Sequence, residues 1–570
     1  MRAWFPSLER PRVTMVWVLG AVVAACLPTL WNDFVYDDTY VIVWGDVIHD
    51  VRNLPSLFLH HAMFVSKGAQ ATYAVDTYRP LSVATFMWDS ALSGHAPIAY
   101  HVTNLVAHVC AVALVYALAR RVLPDEHRAF APLSAAWFGL SPLPGEAHLW
   151  VNGRSDVFCA IFLVAAALAW ERATSGTRRR VPLWIGAGAL YLASLLCKEI
   201  ALMALPALVL WPRARAVGAR AIDASVFGVA AAVYLAMRVA ALGGVRTHEG
   251  TSQLGHAFSQ LGILLLDGAR ELFAPSRVYL RSLVDDYAGL SPLWLGLAWT
   301  VVVVVSAAAL WARRRQPVLA WGWLWFTCTL APAAIISTMQ WVGFGRFLYV
   351  PAVGLSIALA VVLGSVFKHL GASERLVRFR GPMLWLLALY VAFLGVRLHL
   401  FAYDFRDSRS LYGAIIADAP DQAHGYGFLG ISLVDRGRAA EAIPWLVRAD
   451  EISHTAGPRY LAALMDAYAL SGDDARALAC AERLIARFRP ASDYRYAAYR
   501  ALFKTNPERA SGYLVDCLLE EPDHRNCSAA PATALAEPTL GPRYRAELSA
   551  ILARRPDPRL APLRHALDSH

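Results

Sequence analysis

Residues 13–31 read VTMVWVLGAVVAACLPTLW, and residues 32–38 that follow read NDFVYDD. A run of this length and apolarity is enough to cross a hydrocarbon core of about 30 Å as a helix. Arg2, Arg10 and Arg12 precede it, and no small-residue cleavage site follows. The run therefore reads as an uncleaved first span with its N-terminus in the cytoplasm. NDFVYDD then emerges on the far face, carrying Asp37 and Asp38 about two helical turns beyond the span.

The rest of the chain repeats this pattern. Of its 570 residues 57% are hydrophobic and only 17% charged, with a mean hydropathy of +0.42. Soluble domains carry nearer a quarter charged residues. Further apolar blocks lie at about 98–120, 129–145, 153–171, 182–197, 200–212, 222–242, 291–311, 317–336, 346–367 and 382–402. With eleven spans, Arg120–Arg121, Arg178–Arg180, Arg213–Arg220, Arg313–Arg315 and Arg375–Arg380 all fall on the cytoplasmic side, as the positive-inside rule asks. The net charge of +10 is thereby explained as an orientation signal, with no nucleic-acid partner implied. This count requires residues 259–290 to be an interfacial or re-entrant helix. That segment is broken by Pro275 and carries Asp267, Glu271, Arg277, Arg281, Asp285 and Asp286, too many charges for a lipid-facing span.

After about residue 403 the composition turns polar and Ala-rich. Gly437, Gly472 and Asn506 sit at turn positions 35 and 34 residues apart, the period of a tetratricopeptide helix–turn–helix. Gly430, Ala442 and Ala449 fall where that repeat packs small residues. The expected fold is all-α. It comprises a polytopic membrane bundle over 1–403, a short tetratricopeptide-like solenoid over 404–530 on the non-cytoplasmic side, and a helical tail over 531–570. A plain helical cap is the alternative for the repeats. Five of the eight cysteines lie in apolar stretches. Cys517 and Cys527 can either bridge, in an oxidising compartment, or remain unpaired helix residues.

Chemistry is concentrated at the same face. Adjacent carboxylates raise one another's pKa and suit a general base, a metal or a sugar hydroxyl, although a helix cap or solvated turn uses the same residues. His101, Asn104 and His108 share one helical face in YHVTNLVAH, as cavity-lining or interhelical polar groups would. Glu146, His148, Arg154 and Asp156 lie in the turn-rich SPLPGEAHLWVNGRSD, and Lys198–Glu199 separates two apolar halves. Arg79 and Arg346 complete the set. Converging Arg and Lys at a membrane surface fit a lipid-linked phosphate. No CxxC or Cys/His metal spacing occurs, no cofactor is indicated, and no Walker, GxGxxG or HExxH motif supports ATP-driven pumping or zinc proteolysis.

The order FVYDD, YRPLSVATFMWDSALSGHAPIAYHVTNLVAH, SPLPGEAHLWVNGRSD, LLCKE, GRFLYVPAVG and then helical repeats resembles the transmembrane-and-tetratricopeptide O-mannosyltransferases, of the GT-C glycosyltransferase class. The resemblance covers about residues 15–500. It implies sugar transfer, mannose-like, from a polyprenyl-phosphate carrier on the non-cytoplasmic side, with inversion and commonly no metal. It implies Asp37 or Asp38 as the base. Arg79, Arg154, Lys198 and Arg346 become donor-phosphate ligands by position, and His101, Asn104, Glu146, His148, Asp156, Glu199 and Tyr349 cavity residues. The partners implied are the polyprenyl-phosphate sugar and a protein or glycan acceptor presented by the repeat tail. The location implied is a bacterial inner membrane with a periplasmic tail, or the endoplasmic reticulum with a lumenal one. The family often has His-Pro where this chain has Ser141–Pro142, and an acid before Arg where it has Gly345–Arg346. Two other classes compete: a membrane scaffold with a degenerate catalytic core, and a flippase of lipid-linked saccharide, whose inverted repeats the sequence does not display.

Overall fold

The structure is a computed structural model. It describes residues 11–65, 77–174, 181–212, 217–243, 251–275, 290–339, 345–452, 458–488, 491–522 and 525–569. Among the described residues every regular element is helical. The chain falls into two compact units, Met1–Leu411 and Tyr412–His570.

In the first unit most of the expected spans coincide with a helix. Among the described residues seven segments are long and apolar enough to cross a bilayer: Val13–Trp31, Pro97–Val122, Arg154–Thr174, Ala224–Leu242, Pro292–Ala312, Gly345–Ala372 and Val377–Asp404. The chain is an integral membrane protein. Local signals fix the ends. Pro97 and Pro292 open their helices where a missing N–H costs nothing, and Arg120–Arg121 close Pro97–Val122 where cations complement the helix dipole. The basic loops at 178–180 and 213–216 lie outside the described residues.

Two of the expected spans are not single rods. The block 129–145 is a helix only over Ala131–Leu140, flanked by 3₁₀ turns Asp125–Phe130 and Leu143–Gly145. Ten residues rise about 15 Å, half a bilayer. The block 200–212 is a 3₁₀ turn Glu199–Ala204 followed by Leu205–Val209. Interrupted backbone is tolerated at membrane depth where protein buries it, and nine of the ten residues of Ala131–Leu140 are buried. The segment read as 259–290 begins inside a helix that ends just before Pro275. A continuous 23-residue helix runs from Thr251 to Phe273 and packs against Pro292–Ala312 and Pro317–Met339. Its charges gather in the last two turns, where Arg270 pairs with Asp267 and Glu271. Arg277, Arg281, Asp285 and Asp286 lie outside the described residues.

The segment after the first span is folded, not a loose loop. Phe34, Val41, Ile42, Ile48 and Leu57 close a small core with Val83, Phe86 and Met87 of the helix Pro80–Ser93 and with Tyr100 and Val151. This layer holds the acid pair in place.

The second unit is a tetratricopeptide-like array. Helices Ala423–Asp435 and Ala439–Ile452, Arg459–Leu470 and Asp474–Arg487, then Ala491–Leu502 and Pro507–Glu520 form three hairpins. Gly437 and Gly472 turn the first two at φ +74° and +80°, values that need glycine. Asn506 ends the third turn by accepting the Arg509 N–H at 3.2 Å. Gly430 backs onto Leu446, and Ala442 and Ala449 are fully buried, as the repeat spacing requires. One core runs unbroken from Ala442 to Leu563 through helices Arg525–Leu535, Gly541–Arg554 and Ala561–Ser569. Cys517 and Cys527 are joined by a disulfide within it.

Candidate functional site

The two adjacent acids occupy different environments. Asp38 is fully buried. Its Oδ2 accepts the Val35 N–H at 3.2 Å and its Oδ1 the Asn152 N–H at 2.9 Å. Burial pushes its carboxyl well above the usual range and the Asp37 charge adds to this, while the two backbone N–H groups and Arg154 oppose it. Asp37 is half-buried, and its carbonyl accepts from the Tyr40 and Val41 N–H groups at 3.1 and 3.0 Å. Tyr36, immediately before, sits at φ +52°, a left-handed conformation costly for a bulky residue. The turn holds this strain because it is tied across to the 146–153 segment: the Trp150 indole N–H donates to the Val35 carbonyl at 3.2 Å.

That segment is in turn pinned from below. Asn104 is fully buried and donates through Nδ2 to the carbonyls of His148 (3.1 Å) and Trp150 (3.0 Å). His101 is buried beside the Asn32–Asp33 backbone. His108 donates from Nε2 to the Gly139 carbonyl at 3.0 Å, which leaves Nδ1 to accept from the Tyr349 hydroxyl at 2.7 Å. The His108 ring stacks on His148 with centroids 3.7 Å apart, and His148 Nε2 lies 3.3 Å from the Cys26 sulfur. Cys26, His108 and His148 thus bring potential ligand atoms within 4.8 Å of one another. Both His108 nitrogens are engaged, however, and the two rings are parallel to within 6°, so their in-plane lone pairs do not converge on one ion.

The four cations separate sharply. Arg154 is fully buried, pairs with Asp89, donates to the Tyr100 carbonyl at 2.8 Å and lies 4.5 Å over the Phe86 ring. Lys198 is buried against Asp156. Arg79 forms a two-point pair with Glu199, with Nε to Oε2 at 3.0 Å. Arg346 has no carboxylate partner for its side chain among the described residues. It is half-buried, with its guanidinium 4.6 Å over Trp150 and 5.2 Å over Phe347. Its backbone N–H donates to Glu146 Oε2 at 3.1 Å. Burial raises the Glu146 carboxyl, and the nearby Arg346 charge opposes it. Gly345 makes this junction possible, because a Cβ there would stand 2.6 Å from the Leu143 carbonyl oxygen and 2.7 Å from Glu146 Oε2.

The structure therefore brings Glu146, Trp150 and Arg346 together, with the Trp150 indole bonded to the Val35 carbonyl two residues before Asp37. Arg79, Lys198, Asp156 and Glu199 adjoin this group as an interacting set of charges. Arg154, Asn104 and His108 are spent on internal bonds. Asp89 and Trp150 were not singled out by sequence reasoning. Asp89 was detectable: it is the one ionisable residue in PLSVATFMWDSALS, and such a residue in an apolar helix needs a partner. Trp150 carries no such signal, since an indole that braces a site and one that only fills a core look the same in sequence.

The fold and these residues define an integral membrane protein with a helical-repeat domain and a charged site built from inter-helix segments. Human protein O-mannosyl-transferase TMTC4 is 24% identical over 518 residues, covering 77% of this chain and 66% of that protein. Protein O-mannosyl-transferase Tmtc1 of Drosophila melanogaster is 31% identical over 182 residues, covering 31% of this chain and 20% of that one. Human TMTC3 is 28% identical over 155 residues, 27% of this chain and 16% of that protein. The matches to the first relatives thus span a fifth or less of their length. These similarities support the TMTC-like resemblance carried by the motifs. No family model matches the chain, and no solved structure does.

Proposed function

We propose that this chain is a membrane glycosyltransferase of GT-C type, moving a mannose-like sugar from a polyprenyl-phosphate carrier to a protein Ser/Thr hydroxyl on the non-cytoplasmic face. The observation that carries the reading is Trp150, which bonds to the Val35 carbonyl of the Asp37 turn and lies under the Arg346 guanidinium. There a half-buried carboxylate shares one scaffold with a guanidinium that has no carboxylate partner among the described residues. Asp37 takes the proton of the acceptor hydroxyl as its oxygen bonds to the anomeric carbon. The bond from that carbon to the phosphate oxygen breaks, and the electron pair leaves with the phosphate. Arg346 stabilises the leaving phosphate, while Arg79 and Lys198 add positive potential. Trp150 braces both the Asp37 turn and the Arg346 guanidinium. Asp38 positions the turn through its two backbone bonds. The repeat domain presents the acceptor.

One observation favours the alternative of a scaffold with a degenerate core: three of the four expected phosphate ligands are already paired with carboxylates. A single assay separates the two. Membranes containing the protein are given a panel of radiolabelled polyprenyl-phosphate sugars with native extract as acceptor. Transfer that falls about 10²–10⁴-fold in Asp37→Asn supports the enzyme, with the range expected for removing a general base. Folded protein that transfers nothing from any donor supports the scaffold.

A further inference from the structure

A second site lies away from the acid pair. The helices Pro11–Cys26, Ala131–Leu140 and Arg380–Asp404 border an open-sided cavity of about 1210 Å³. Small-molecule pockets run to about 1,000 Å³, so this space exceeds a typical one. Its walls are almost wholly apolar along their length, with Val18, Ala21, Ala136, Leu387, Val391 and Gly395 among the lining residues. From Leu384 to His399 the lining helix rises about 22 Å, more than the roughly 15 Å of one bilayer leaflet's hydrocarbon.

Polar groups are confined to the two ends. One end is marked by Ala25 and His399, next to the residues under the acid-pair site. The other end carries Arg120, Glu126 and Arg128. Glu126 is bonded to Lys368 at 2.9 Å, and Arg128 pairs with Asp125 at 2.5 Å. Among the described residues Arg120 has polar contact with the Tyr116 hydroxyl alone, at 3.4 Å, and lies over the same ring. With the pairs neutralising one another, Arg120 leaves this mouth positive.

We propose that the cavity binds one anionic glycerophospholipid, with its acyl chains between the three helices and its phosphate on Arg120. The donor lipid of a glycosyltransferase is not the occupant, because its phosphate belongs at the Asp37–Arg346 end, a helix length away from Arg120. Only this exclusion of the donor lipid rests on the glycosyl-transfer reading; phospholipid binding does not, and the two are tested by different assays.

The full chain is purified in detergent and titrated with phosphatidylglycerol or phosphatidylcholine, and retained lipid is counted by native mass spectrometry. The wild type should retain at least fivefold more phosphatidylglycerol. Gly395→Phe projects into the cavity from a position where a Cβ would have its nearest neighbour, a Leu140 methyl, 3.8 Å away, and it should cut phospholipid retention at least fivefold. Ala392→Leu, a smaller filler on the same face, carries the test if Gly395→Phe fails to fold. Arg120→Gln should equalise the two lipids while leaving the cavity open. Equal retention of both lipids by the wild type, undiminished retention in a folded filled variant, or recovery of a polyprenyl lipid displaced by the filled variants would each overturn the proposal.

Discussion

Ion pairs are placed differently in the two units. In the membrane unit, Arg154–Asp89 and Lys198–Asp156 are buried on both sides. In the repeat unit, Arg483–Asp450 joins successive hairpins at 2.8 Å with side chains 52% and 21% exposed. Buried charges lose several kcal/mol of hydration each, so such pairs add little net stability but are costly to break. Exposed pairs are screened and cost little to lose. Burial thus converts an ordinary pair into a constraint that fixes where helices meet. That is what the site needs, because the Arg154–Asp89 pair joins the helix Pro80–Ser93 to the start of Arg154–Thr174, directly beside the segment that receives Asp38.

The largest effect expected follows from breaking a buried pair. Asp89→Ala should destabilise the protein by about 3–5 kcal/mol, since it leaves the Arg154 guanidinium buried without its counter-charge. Thermal unfolding in detergent measures this. The double variant Asp89→Leu with Arg154→Met should recover most of the loss. If it does not, the pair contributes net stability and the contrast with the repeat unit fails.

Next comes the covalent tie of the repeat unit. Replacing the Cys517–Cys527 bridge with Cys517→Ser and Cys527→Ser frees the loop it closes in the unfolded chain and should cost about 2–3 kcal/mol. Hydrogen exchange over 507–554 in the full chain should rise while the membrane unit stays protected.

A smaller effect is pH-dependent. Asp466 is pushed up to about 6, chiefly by burial and also by the Asp435 charge, against the opposing Arg500. Its folded pKa lies above the unfolded value near 4. Its stabilisation is therefore complete below about pH 4 and is lost as pH rises through about 6. Asp466→Asn should flatten that part of the stability–pH curve for the repeats, and an unchanged curve would remove Asp466 as its source. The smallest effect is that of Arg483→Ala, expected within about 0.5 kcal/mol, because its pair is half solvated. A larger loss would show that the inter-hairpin pairs of this unit act as a network.

Much of this architecture was legible in the chain. The hydrophobic runs marked the helices of the membrane unit, and Gly437, Gly472 and Asn506 marked the repeat turns, because both depend on local period and backbone preference. Length alone misled in two places. Ala131–Leu140 is half a span in a block read as a whole one, and the block 200–212 is a 3₁₀ turn followed by the short helix Leu205–Val209. A run of apolar residues reports burial, and lipid and protein bury it equally well.

The site divides the same way. That Asp37, Asp38 and Arg346 stand next to apolar blocks follows from the chain alone, since an adjacent pair of acids and a GR step between spans are visible as text. That Asp38 faces inward to two N–H donors while Asp37 remains half-buried is a product of tertiary packing. So is the matching of Arg154, Lys198 and Arg79 to Asp89, Asp156 and Glu199, which leaves Arg346 over Trp150. The reason is physical: which charge is compensated depends on partners 42 to 120 positions away in the chain, brought together by helix packing and invisible to any local pattern.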